Sequence, residues 1–323
     1  MNSEFHYYVI YFLCLESGIS DRDAYIIAYS SQYVDNNIVK HVVNLSDGLY
    51  ETRVTQNYAW LGDWFPKNVY VPFHFIPGDY KQADERKDKR QSRHCVTPGS
   101  TNARELLKRA FKTKNLYRIG MALHTFADTW SHQNFTGFNE DFNCVKNNLM
   151  PDVGHAEVYS SPDKINYEWQ DTRLVDPHVT NNERFFAGAR EIYKVLCEYN
   201  ETPAENLDSI IEKVSEIFGE EDDRRSPEER IYDCILKYDM MEYNKFEWMN
   251  NAVVMNDGYF SSEELNELDT LEWIKDAILY QSSFLKRPVL QPQEGFYDSD
   301  WFNWHEQVKN HLSDVKEILK GLI

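Results

Sequence analysis

Basic charge is in short supply in this sequence relative to acidic charge. Of 323 residues, 34 are Lys or Arg against 53 Asp or Glu, giving a formal net charge of −19 and a pI near 4.9. Such a surface repels a phosphate backbone, which disfavours long nucleic acid as a partner. A small phosphorylated molecule is not excluded, because divalent ions can reverse the sign of the field inside a cleft. Cysteine is scarce as well. Cys14, Cys95, Cys144, Cys197 and Cys234 are odd in number and widely spaced, with no Cys-x-x-Cys pair. This argues against a disulfide framework and a thiolate zinc site. No apolar run reaches the roughly 20 residues of a membrane span. The apolar stretch Tyr7 to Leu15 follows Glu4 and His6 instead of a basic segment, so it does not read as a signal peptide, and cytoplasmic residence is the expectation. Also missing are a glycine-rich phosphate loop, a Gly-x-Ser-x-Gly elbow and any His-Asp dipeptide. His305-Glu306 begins like a zincin motif, but Lys309 stands where the second His would be needed.

What is present is apolar and helical. Hydrophobic residues make up 42% and aromatics 15%, enough for a large core. Residues 4 to 16 read as a buried helix ended by Gly18. Ser20 looks like the cap of a second helix that closes near Asp35. Residues 44 to 80 read as loop, broken by Pro66, Pro72 and Pro77, and Lys81 to Arg93 as a solvated mixed-charge run. Ser100 caps a helix to Lys112, and another runs from Leu116 to Gln133. After an irregular stretch over 134–180, helical periodicity returns at 182–199, 204–218, 227–250, 261–284 and 301–321. No strand alternation is sustained. The expected fold is all-α, a multi-helix bundle with long loops lining a cleft. Residues 1–180 would form the core and 181–323 a helical extension, or the two together one domain.

Ten histidines are present, and three residues on one helix stand out: His124, Asp128 and His132. At i, i+4 and i+8 they fall within about 80° of one another on one face. A His and a carboxylate one turn apart can share an ion, and a second His a turn further can reach another ion. Candidate partners come from separate segments. His6 lies on the first helix, Asp35 closes the second, and His74 sits in the apolar loop Pro72-Phe73-His74-Phe75. His155 follows Pro151-Asp152-Val153-Gly154, with Glu157 and Asp163 nearby. Each has an ordinary structural reading alone. Together they supply the roughly four to seven N and O ligands that two or three zinc-like ions need. His41, His94, His178 and His311 have no ligand-like neighbours in sequence and read as surface or core residues.

The pattern His124, Asp128, His132, Asn134 resembles the zinc-dependent phospholipase C and S1/P1 nuclease superfamily, whose central helix carries His-x3-Asp followed by a further His and an Asn. In order, His6, Asp35 and His74 correspond to that family's early ligands and His155 to its late His. The blocks Phe5-His6-Tyr7-Tyr8, Ala28-Tyr29-Ser30-Ser31-Gln32-Tyr33-Val34-Asp35 and Leu123-His124-Thr125-Phe126-Ala127-Asp128 look closer still to an uncharacterised bacterial family of unknown function. The resemblance spans roughly residues 1 to 170 and implies an all-α fold around a metal cluster. Two positions depart from it. The superfamily binds one ion through a processed N-terminal tryptophan amine, where this sequence reads Met1-Asn2-Ser3. It also places its last carboxylate four residues after the late His, where this chain has Tyr159, so that Asp152, Glu157 or Asp163 must substitute.

The expectation is therefore a metal-dependent phosphoester hydrolase that uses a metal-activated water. Two divalent ions are expected, zinc by preference, within a range of one to three. His74, His124, Asp128 and Asp35 would hold one, and His132 and His155 the other. His6 would complete the Asp128-sharing position or a third. Asp35 would orient or deprotonate the water, and Asn134 would orient His132 or contact phosphate. The substrate would be a small phosphorylated molecule. The competing expectations are a non-catalytic helical protein with a closed structural metal site and a metal-dependent hydrolase of a non-phosphate bond.

Overall fold

Helix caps set out most of the elements. In the computed structural model, which describes residues 1–57, 63–146, 150–219, 223, 225–254 and 289–323, the first helix α1 (Ile10–Glu16) continues a π-helical segment, Glu4–Val9. The Ser20 side chain accepts from the Asp23 amide (3.3 Å) and opens α2 (Asp21–Asn36). A second π-helical segment, Pro66–Tyr70, leads into the short α3 (Val71–Phe73). Ser100 caps α4 (Thr101–Thr113), which stops at Lys114 in the left-handed conformation (φ 55°). Asn115 then caps α5 (Leu116–Ser131) by accepting from the Arg118 amide at 3.0 Å. The later helices are α6 (Asn181–Tyr199), α7 (Leu207–Phe218), α8 (Pro227–Tyr238), α9 (Glu247–Ala252) and α10 (Asp300–Ile318).

The all-α expectation is overturned: the described residues are 55% helix and 9% strand, and they include two small sheets. Strands β1 (Val42–Leu45) and β2 (Gly48–Glu51) form an antiparallel hairpin. β3 (Glu168–Gln170) pairs with β4 (His178–Thr180), also antiparallel. β5 (Val253–Val254) and β6 (Val289–Pro292) complete the larger sheet, in the order β2-β1-β6-β5, with β1 and β6 parallel. Strands of two to four residues are too short to show alternation, and the β1–β6 pairing is so remote in sequence that no local pattern announces it. Residues 44–80 are accordingly not all loop. The expected helix over 227–250 also breaks: the chain leaves α8 at Asp239 (φ 51°) and resumes helix only at Glu247. The helix expected over 261–284, with Trp273, lies outside the described residues, as do 58–62 of the 44–80 stretch.

Every residue of α5 from Arg118 to Ser131 is buried, because α2, α4, α6 and α10 all pack on it. Contact with α2 is closest at Gly120. A Cβ there would collide with the Ile27 carbonyl oxygen and lie 2.6 Å from the Ser30 Cβ, so only glycine allows the two helices this separation. The Trp304 indole, donating to the Ser30 carbonyl (3.1 Å), ties α10 to the same place. One hydrophobic cluster runs from Met1 to Leu319 and takes in side chains from both the 1–180 and 181–323 segments. A smaller cluster, built on Phe65, Phe75, Phe135, Val158 and Trp169, packs the long loops beside the end of α5.

Candidate metal centre

A helix buried on all sides must account for each of its polar side chains. On α5, Arg118 pairs with Asp314. Thr129 donates to the Phe126 carbonyl (2.7 Å) and accepts from the Gly99 amide (2.9 Å), and Thr125 reaches the Met121 carbonyl at 3.3 Å. Ser131 accepts from the Met1 nitrogen (3.2 Å) and Tyr117 donates to Asp300 (2.6 Å), which leaves His124 and Asp128, with His132 capping the helix. These three meet side chains brought in by the π-helical N-terminal segment, the end of α2, the turn after α3 and the 150–165 loop.

Around Asp128, four ligand atoms gather. Its Oδ2 lies 3.1 Å from His74 Nδ1 and 3.3 Å from His124 Nε2, and those two nitrogens are 3.2 Å apart. Asp35 Oδ1 lies 3.8 Å from His74 Nδ1 and 3.7 Å from His124 Nε2. Ligands held about 2.0–2.1 Å from a tetrahedral zinc are about 3.4 Å from each other, so the separations among His74, His124 and Asp128 suit a single ion, and Asp35 stands a few tenths of an ångström further from the two imidazoles. On the other oxygen of Asp128, His6 Nε2 sits at 3.0 Å, its ring stacked on that of His124 with centroids 3.9 Å apart.

A second group forms beside it. His132 Nε2 lies 3.1 Å from Asp163 Oδ1, and His155 Nε2 3.3 Å from Asp163 Oδ2. The Met1 nitrogen touches both groups, at 2.5 Å from Asp128 Oδ1 and 3.2 Å from Asp163 Oδ1. The two sets of ligands are thus adjacent, as a two-ion centre requires.

Three of the histidines have their outward nitrogen fixed by a backbone carbonyl. His74 Nε2 donates to Thr55 (2.9 Å), His132 Nδ1 to His74 (2.8 Å) and His155 Nδ1 to Tyr159 (2.6 Å). In rings so held, the inward nitrogens of His74, His132 and His155 face carboxylate oxygens. At 3.1–3.3 Å such a contact needs either a proton on the nitrogen or a metal cation between the two atoms, and both are of the right charge for this site. The carbonyl that holds His155 belongs to a strained residue: Tyr159 takes φ 53° and ψ −132°, a region that non-glycine residues rarely enter. Phe75 stacks on the His132 ring (centroids 4.5 Å, 16°) and fills the space a Cβ on Gly154 would need.

Electrostatics reinforces this arrangement. Burial alone would raise the Asp128 carboxyl, but His132, the Met1 ammonium, His124 and His6 outweigh it and hold it well below the ordinary carboxylate range. Asp163 is likewise held well below that range, the Met1 ammonium, His155 and His132 outweighing burial. Burial lowers His6 strongly, helped by His124, and it lowers His155. His132 goes the other way, because Asp128 and Asp163 overcome burial. The Met1 ammonium is pushed up to about 11, since the three carboxylates Asp128, Asp163 and Asp35 outweigh desolvation.

Of the residues singled out in sequence, the first group comprises two triads that share His124, namely His6–His124–Asp128 and Asp35–His74–His124, and the second comprises His132, His155 and Asp163. The other candidates are engaged elsewhere. Glu157 is buried and accepts from the Val145 and Lys146 amides, pinning the loop. Asp152 falls near Asp141 and Cys144. The Asn134 amide both accepts from the Asp84 backbone and donates to its carboxylate (3.0 and 2.8 Å), so it orients the 84 region and not His132. Thr55 and the Tyr159 carbonyl had no sequence signal, because each acts through backbone atoms; the Met1 nitrogen lies where the resembled superfamily uses an N-terminal amine.

The model of a family described as a family of unknown function (DUF6765) matches residues 1–319, a span that holds every one of these candidate ligands. The chain belongs to this family. No curated protein and no solved structure matches it. Within this DUF6765 chain the side chains beside the centre differ in access. Asp128 is 1% exposed, whereas Asp35 is 24% and Asp163 18% exposed. An open cleft of about 790 Å³, lined by Ser3, Gln32, Asn36, Tyr243, Asn244 and Lys245, borders the segments that carry His6 and Asp35.

Proposed function

We propose that this protein is a metal-dependent hydrolase of phosphoester bonds, acting on a small phosphorylated substrate at a centre of two divalent ions, zinc by preference. The observation that carries the reading is the pair of adjacent imidazole and carboxylate groups, with three histidines whose outward nitrogen is held by a backbone carbonyl so that the inward one faces the carboxylates. His74, His124, Asp35 and Asp128 would hold one ion, with His6 supporting Asp128. His132, His155 and Asp163 would hold the other. Bound there, divalent ions would supply Lewis acidity toward a phosphoryl oxygen and lower the pKa of water toward neutrality.

The protein's own part follows from exposure. Three ligands in the second group leave a coordination position free, the arrangement of catalytic sites. Asp35, the most exposed carboxylate of the first group, is placed to take a proton at its second oxygen, while the amide-lined cleft orients the substrate. Phosphoester specificity draws its support from the order of the ligands, which resembles the phospholipase C and S1/P1 nuclease superfamily.

One observation favours the structural reading for the first group: its four side chains satisfy a tetrahedral ion without water. Two measurements separate the readings. Metal analysis of the isolated protein should give about two ions per chain. A metal-replete screen of wild type and Asp128→Ala on p-nitrophenyl phosphate, bis(p-nitrophenyl) phosphate and lecithin should show turnover in the wild type alone. One ion per chain with no turnover on any of these would establish the structural role instead.

A further inference from the structure

The segment that holds His74 has a second face. Thr52, Arg53, Val54 and Asn57 border a cavity of about 410 Å³, while Thr55 between them turns its carbonyl to His74. The volume is that of a small-molecule site. Its floor is apolar, made by the buried Phe65, Phe73, Val308 and Leu312, and the indole of Trp64, 41% exposed, stands at the rim with its ring 5.1 Å from that of Phe65.

The charge at the mouth is unlike the rest of this acidic chain. Lys40 is paired with Glu51, and Lys309 with Glu306. Arg53, by contrast, is exposed and makes no ion pair among the described residues. Lys316 does not itself line the cavity but reaches its edge through Asn68, a lining residue whose side chain it bonds (2.8 Å) and which also holds the Trp64 carbonyl (2.8 Å); among the described residues Lys316 makes no ion pair. Burial, and then the charge of Arg53, push its ammonium down. In a protein of net charge −19, two uncompensated cations beside an aromatic cavity call for an anion with a ring attached.

We infer that this cavity binds a small aromatic anion, its ring between Trp64 and the apolar floor and its anionic group on Arg53 and Lys316. The site is separate from the metal centre and does not depend on it. Isothermal titration of the full chain with naphthalene-2-sulfonate tests it, with inorganic sulfate and 2-naphthol as probes of charge alone and ring alone. The expected result is one saturable site per chain, weakened about tenfold or more in Arg53→Ala and in Trp64→Ala and largely kept in Arg53→Lys. EDTA should leave it unchanged, and neither control probe should bind comparably. Both altered side chains are exposed, and thermal melts confirm that the variants fold. Absence of saturable binding, equal affinity in the alanine variants, or loss of binding in EDTA would each overturn the assignment.

Discussion

Asp163 and Asp152 belong to the same irregular loop and have opposite surroundings. Asp163 meets two imidazoles and a cationic nitrogen that hold its carboxyl well below the usual range, whereas burial and then the like charges of Glu157 and Asp141 raise Asp152. Substituting alanine should therefore distinguish them. Asp163→Ala is expected to lose one of two bound ions by metal analysis and to abolish turnover, while Asp152→Ala should keep both. Equal metal content in the two variants would count against the second group. His305 makes a different prediction. Its ring is buried between Trp301 and Trp304, and neither nitrogen has a hydrogen-bond partner among the described residues; burial holds its pKa well below 6.5. The unfolded chain takes up that proton near pH 6.5 and the folded one does not. The contribution to stability is thus complete above pH 6.5 and declines as pH falls below it, by up to about 1.4 kcal/mol per pH unit. His305→Phe should flatten the fall in melting temperature between pH 6.5 and 5; an unchanged slope would refute the assignment.

Among the elements, α2 and α5 decide whether the first group exists, because Asp35 ends one and His124 lies on the other. Gly120 sets their separation. Gly120→Ala should cost about 1–3 kcal/mol in urea unfolding, as overpacking does, and should also weaken metal retention by moving Asp35 away from His124. Loss of stability with full retention of metal would mean that α2 does not position the ligand. This scale also explains what the sequence disclosed. The ligands on α5 were legible because helical spacing alone puts residues 124, 128 and 132 on one face, and His6, Asp35, His74 and His155 stood out as chemistry-bearing residues in apolar surroundings. The choice of Asp163 over Glu157 was not legible, since it depends on whether a loop carboxylate turns to backbone amides or to imidazoles. The sheets escaped for a related reason: a strand such as Val253–Val254 is defined by a partner, β6, that no local pattern reveals. The two-residue turn between β1 and β2 is Ser46-Asp47, with Gly48 opening β2 opposite Leu45, and it left only the turn-prone Ser-Asp-Gly run as a trace of the hairpin.

For the molecule as a whole, the centre joins segments that are far apart in the chain: the N-terminal π-helical turn, the end of α2, the turn after α3, α5 and the 150–165 loop. The N-terminal turn is itself fastened to α8 by the buried pair of Glu4 and Arg230, with Nε–Oε1 at 2.8 Å. Metal bound there would be a cross-link between these segments that the unfolded chain lacks, so its binding energy adds to folding energy. At a free ion concentration near a hundred times the dissociation constant, the linkage is worth about 2.7 kcal/mol per site, or a few degrees in melting temperature for a chain of this size. Stripping with EDTA should lower the melting temperature and zinc should restore it. In Asp128→Asn, which keeps the size of the side chain but removes its charge, the response of the melting temperature to both should be roughly halved, because the second group keeps its own three donors. The same experiment discriminates between the parts of the molecule. Amide exchange after stripping should rise first in residues 150–165, which reach the core through the smaller cluster of Phe75, Val158 and Trp169, and last in α5, enclosed by four helices. A uniform rise across the chain would mean that the ions stabilise the whole fold and not the loop that closes over them.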